Sequence, residues 1–231
     1  MGTTENPTNE APKPQPSTYV TTAEWIAKMK LTFGNAMLPE IFEIMKTVGY
    51  TEEKINEMIS KLTHLEDLQQ AQTKEYAEQY AETEKFDAKH AEIDAVFTKD
   101  RGLLKIFFKG IVHAQSILKL DEAKPKAFIA WQDMATNFYA QLEAAPELLS
   151  KSATIGITSE SVTAQKQALK DLQVLKESQR KETAEAQAAT DARDRAFDEL
   201  YPLYSEYIQY AKVLLADNQT LEAIGVKVKA K

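Results

Sequence analysis

The chain has no cysteine, so disulfides, thiolate metal sites and thiol nucleophiles play no part in it, whatever its compartment. Turn formers are scarce as well. There are seven Gly and eight Pro, and four of those Pro (Pro7, Pro12, Pro14 and Pro16) precede residue 17. Such scarcity favours a few long helices over many short strands. Only three His are present and they are scattered, which leaves no basis for a nucleophile–base pair. The serine-hydrolase elbow, the phosphate-binding P-loop, the zincin helix and the dinucleotide glycine pattern are all missing, so we expect no enzyme. No window reaches the roughly 18 uncharged apolar residues of a membrane span. The most apolar stretch, 103–120, is interrupted by Lys105, Lys109, His113 and Lys119. A basic excess is lacking too: net charge −7 and pI near 5.2 argue against nucleic acid and against nonspecific attraction to anionic membrane.

What is present is a repeat. Gly49-Tyr50-Thr51 and Gly156-Ile157-Thr158 open two stretches, 51–97 and 158–204, that align without a gap at an offset of 156 − 49 = 107. Each starts with spaced aliphatics, Ile55, Leu62, Leu65 and Leu68 in one and Val162, Leu169, Leu172 and Leu175 in the other. Both then lose their larger aliphatics at matching places. No Ile, Leu, Val or Met lies between Leu68 and Ile93, or between Leu175 and Leu200. The steps of three and four through 55, 58, 62, 65, 69, 72 and 76 follow a coiled-coil seam that turns from aliphatic to Gln. These stretches predict long helices with a firm base and a polar middle.

Read in order, residues 1–19 are polar and Pro-rich and predict a disordered arm. Thr21 and Glu24 form a capping box for a helix carrying Trp25, Ile26, Met29, Phe33 and Met37. Pro39 kinks or restarts that helix and Gly49 ends it. The long helix should run from Thr51 to about Lys99, break or bend at Asp100-Arg101-Gly102, and yield to a short apolar helix over 103–120. The second copy follows the same plan through Trp131, Met134, Phe138, Leu142 and Pro146, with Tyr201-Pro202 in place of the Gly break. Asn218 or Thr220 caps a last turn before Gly225, and 227–231 is a basic tail.

The expected fold is therefore all-α: an elongated antiparallel helical bundle of two tandem helical-hairpin repeats, 20–120 and 121–226, packed as one domain.

Three groups of side chains could carry function. Glu84, Asp87 and His90 stand three apart, and an acid-x-x-His pair on a bundle helix is a spacing used by carboxylate-bridged metal sites. The second copy offers Asp191 and Asp194 but puts Phe197 where His90 stands, and solvated helix faces produce the same spacing. Tyr76, Tyr80 and Thr83 share a helix face and, with Tyr204 and Tyr207, are candidates for an interaction surface. Phe107, Phe108 and Ile111 mark a helix suited to a membrane or a partner, or else to the core between the repeats.

We expect a non-enzymatic scaffold or interaction protein that binds a protein partner or its own copies through its long helices. The alternatives are a carboxylate-rich metal or small-ligand bundle, and a membrane-active bundle of the kind formed by α-helical pore formers. No cofactor, nucleic acid or membrane is expected. With no signal peptide visible in Met1–Ser17 the default location is cytoplasmic, and export by a signal-less route stays open.

Overall fold

A computed structural model describes residues 20–215 and 218–228, and helices without strands make up its regular structure. The expected arm at 1–19 and the end of the basic tail lie outside the described residues. Two compact units divide the chain: the first takes the described residues up to Asp67 and from Asp194 onward, the second is Leu68–Arg193. The elements in order are α1 (Thr22–Asn35), α2 (Pro39–Lys46), α3 (Glu52–Phe107), α4 (Val112–Ile117), α5 (Phe128–Glu143), α6 (Pro146–Ser152) with a 3-10 turn (Ala153–Ile155), α7 (Ser159–Leu214) and α8 (Asn218–Ala223). The long helices α3 and α7 each have 56 residues, and both their starts (52 and 159) and their ends (107 and 214) keep the offset of 107. Each unit thus combines the beginning of one sequence repeat with the end of the other.

Local chemistry sets these boundaries. The Thr21 hydroxyl accepts from the Glu24 amide at 3.3 Å while the Glu24 carboxylate accepts from the Thr21 amide at 2.7 Å, the reciprocal pair expected from sequence. Pro39 sits in the first turn of α2, where its missing donor costs little. Gly49 and Gly156 adopt φ of 90° and 84°, the left-handed turn that precedes each long helix. Thr51 and Thr158 then cap those helices by accepting from the Lys54 and Ser161 amides at 3.4 and 3.3 Å.

Two expected breaks are not there. Helix α3 runs through Asp100-Arg101-Gly102 and ends at Phe107. Tertiary contacts hold it: the Tyr139 hydroxyl donates to Asp100 at 3.0 Å, Arg101 donates to the Lys119 carbonyl at 2.7 Å, and Leu104 is fully buried. The roughly 1 kcal/mol cost of one helical Gly is small beside such burial. The chain turns instead at Gly110, φ 83°, so 103–120 holds the end of α3, a turn and α4 rather than one helix. Helix α7 likewise passes through Pro202. Pro202 and Asp198, whose carbonyl loses its usual helical partner, are both exposed residues, and the buried Leu200 and Tyr207 hold the helix on either side.

Each unit has its own core. In the first, Met29 and Phe33 of α1, Ile41 and Met45 of α2, and Ile55, Met58, Leu62 and Leu65 of α3 meet Leu200, Tyr207 and Ala211 of α7. In the second, Ile93, Phe97 and Leu104 of α3 meet Trp131, Phe138, Tyr139 and Leu142 of α5 and Val162, Leu169 and Leu172 of α7. Each fully buried aliphatic contributes about 1.5–3 kcal/mol, so the bases of both long helices are firm, as the aliphatic spacing predicts.

Candidate functional site

Between residues 69 and 83 of α3 and 178 and 193 of α7, inside the second unit, aliphatic packing gives way to a polar seam. Gln72 donates to the Thr190 hydroxyl at 3.2 Å and accepts from Arg193 at 2.9 Å and from Gln69 at 3.0 Å. Farther along, Gln179 donates to Thr83 at 3.2 Å and Ser178 to Glu82 at 3.1 Å. Partner numbers fall on one helix as they rise on the other, so the two are antiparallel here. The close approach is made by small side chains: Ala186 is buried and Ala189 and Ala192 are half-buried, while Ala184 and Ala188 face outward. A register held by short amides and hydroxyls is directional, but each bond nets only about 0.5–1.5 kcal/mol.

On this seam the expected interaction surface is partly assembled. Tyr76 is half-buried, its hydroxyl 3.4 Å from that of Thr190, and its ring lies 6.2 Å from that of Tyr80. Tyr80 is 68% exposed, the open end of the pair, and Thr83 is engaged by Gln179. Tyr207 has to be removed from the surface, whereas Tyr204 is half-buried. Tyr207 is fully buried in the first unit, with edge contacts to Phe33 and Tyr50, and burial pushes its phenol up to about 12. Tyr204 packs against Trp25 and Phe33. Helical spacing alone does not separate an aromatic that faces the core from one that faces water.

The residues expected to form a metal site are not gathered into one. Glu84 and Asp87 are exposed, whereas His90 turns inward among aromatic rings, 4.2 Å from Trp131, 5.5 Å from Phe128 and 5.9 Å from Phe86. The carboxylates that do converge are Glu75, Glu182 and Glu185, with oxygens within 4.8 Å of one another. Sequence spacing could not find that group, because its members come from two helices. Lysines answer the charge locally: Lys74 lies 3.9 Å from Glu75 and also feels Glu182, and Lys181 lies 3.3 Å from Glu185.

Sequence reasoning also missed a second-unit groove of about 390 Å³ between α5 and α7, lined by Phe128, Gln132, Asn137, Lys176, Glu177 and Arg180. Lys176 holds its ammonium 4.5 Å over the Phe86 ring and 5.6 Å over that of Phe128. Nearby, Asp94 accepts from Lys124 at 2.7 Å and from Trp131 at 2.7 Å. Burial alone would raise that carboxyl, but these bonds hold it below the usual range.

Of the third expected group, Phe107 and Ile111 are exposed at 38% and 43%, but Phe108 is fully buried in the second core. No helix among the described residues is long and apolar enough to cross a membrane. Comparison with protein-family models, curated proteins and solved structures finds no match to this chain.

Proposed function

We propose that this chain is a non-enzymatic interaction protein that presents the polar middles of α3 and α7 as its binding surface, to a protein partner or to further copies of itself. The observation that carries this reading is Tyr80, a large aromatic left 68% exposed on a seam whose own contacts are amides and hydroxyls. Tyr is the kind of anchor that binding surfaces favour, since it supplies contact area at little cost in side-chain entropy. The matching element order supports an internal duplication, in which the aliphatic bases hold the fold and the middles are spared that task.

The reading is tested with a photo-cross-linking amino acid at position 80 of the full chain, and at exposed Lys151 as control. A discrete adduct at position 80, to itself or to one partner, that is competed by unmodified protein and absent at position 151 is the expected result. A strict monomer in light scattering with no adduct at either position would overturn it. A metal-binding role has less behind it, since the converging Glu75, Glu182 and Glu185 sit beside Lys74 and Lys181.

A further inference from the structure

The corner where α3 passes into α4 exposes four apolar side chains within seven residues: Ile106 at 76%, Phe107 at 38%, Ile111 at 43% and Val112 at 77%. The corner is not loose. Leu104, Phe108, Ala114 and Leu118 are buried in the second core, so the outward residues are held in place by inward neighbours on the same turns. Its charge is equally distinctive. From 101 to 120 the sequence contains Arg101, Lys105, Lys109 and Lys119 and no Asp or Glu, with Asp100, Asp121 and Glu122 at its edges. Lys105 pairs with Asp121 at 3.0 Å and Lys119 with Glu122 at 3.5 Å. Lys109, between the apolar residues in sequence, makes no ion pair among the described residues, and His113, four residues on, is exposed.

We propose that this corner docks on an anionic lipid surface, with Ile106, Phe107, Ile111 and Val112 entering the boundary between headgroups and acyl chains while Lys109 meets lipid phosphate. The inference is independent of the role given to the seam. Charge complementarity selects lipid over a second copy: protein interface cores are depleted in Lys, whereas interfacial membrane elements combine bulky apolar residues with Lys on flexible stems. The overall negative charge disfavours nonspecific attraction to such a surface, but at the docked corner it is screened beyond about a Debye length, roughly 10 Å at 0.1 M salt. Docking differs from spanning, for which no helix among the described residues qualifies.

The test is co-sedimentation of the full chain with phosphatidylcholine vesicles and with vesicles also containing phosphatidylglycerol, at low and high salt. Binding to the anionic vesicles alone, weakened by salt, is the expected result. Ile106→Glu with Val112→Glu should abolish it, and Lys109→Ala should lower partitioning by about fivefold. Val213→Glu, at an aliphatic 83% exposed in the first unit, should change nothing and serves as control. All these positions are exposed, so circular dichroism and the unfolding midpoint should match the parent. The proposal is overturned by no binding to anionic vesicles, by binding that survives the double Glu variant, or by a concentration-dependent dimer that the double variant dissolves without any vesicle binding.

Discussion

Within the second unit, the base of α7 buries Val162, Leu169 and Leu172 at 3% exposure or less, whereas its middle, from Ser178 to Arg193, meets α3 through Ser178, Gln179, Thr190 and Arg193 with Ala186 as its buried position. The same helix is therefore held by two kinds of contact. Aliphatic burial is strong and non-directional, while the seam fixes register with bonds that cost little to lose. Where packing is not needed for stability, side chains are released for contact with something else.

The largest expected effect comes from breaking the base. Leu172→Ala should cost about 2–5 kcal/mol in urea unfolding, because it leaves a cavity in the second core. Gln179→Ala should cost about 1 kcal/mol or less in the same measurement. Equal losses would mean that base and middle are not differently built.

A second contrast separates the two cores at one aligned position. Asp100 is buried and hydrogen-bonded to Tyr139, whereas Tyr207, at the equivalent site 107 residues on, is buried with no partner for its hydroxyl. Tyr139→Phe leaves the Asp100 carboxyl unpaired and should cost about 1–3 kcal/mol. Tyr207→Phe removes an unsatisfied group, so it should be neutral or stabilise by up to about 1 kcal/mol. Thermal unfolding of the two variants reads the difference in sign.

The acidic side of the pH profile provides a third test. Burial raises the Asp100 carboxyl above its ordinary value, so its protonated form is favoured in the fold. Its contribution is present below the unfolded value and is lost as pH rises through the folded one. Asp94 is depressed by its bonds to Lys124 and Trp131, so its contribution is present above the unfolded value and is lost as pH falls through the folded one. Asp100→Asn should therefore gain stability relative to the parent as pH rises above the carboxylate range. Asp94→Asn should lose stability at neutral pH and converge on the parent in acid. The smallest effect is expected at Tyr80→Ala, within about 0.5 kcal/mol of the parent, since an exposed side chain has little to lose on unfolding.

Much of the scaffold was legible because it is written in local chemistry. The Thr21–Glu24 box, Pro39, Gly49 and Gly156, and the matched loss of aliphatics after Leu68 and Leu175 act through near neighbours. What stayed hidden depends on which helices meet. Gly102 and Pro202 read as breaks, yet buried neighbours carry both helices onward. His90 fits a ligand spacing, but Phe128 and Trp131 arrive from α5 and enclose it. Tyr207 and Tyr80 look alike in sequence, and only the packing shows one buried and the other open.

Hydrogen exchange along α7 tests the central claim most directly. Amides of 162–172 should exchange only through global unfolding, while those of 178–193 should open at least about tenfold more readily in the isolated protein. Uniform protection from the base through the middle would contradict the account, since the middle would then be as much a part of the fold's foundation as the base.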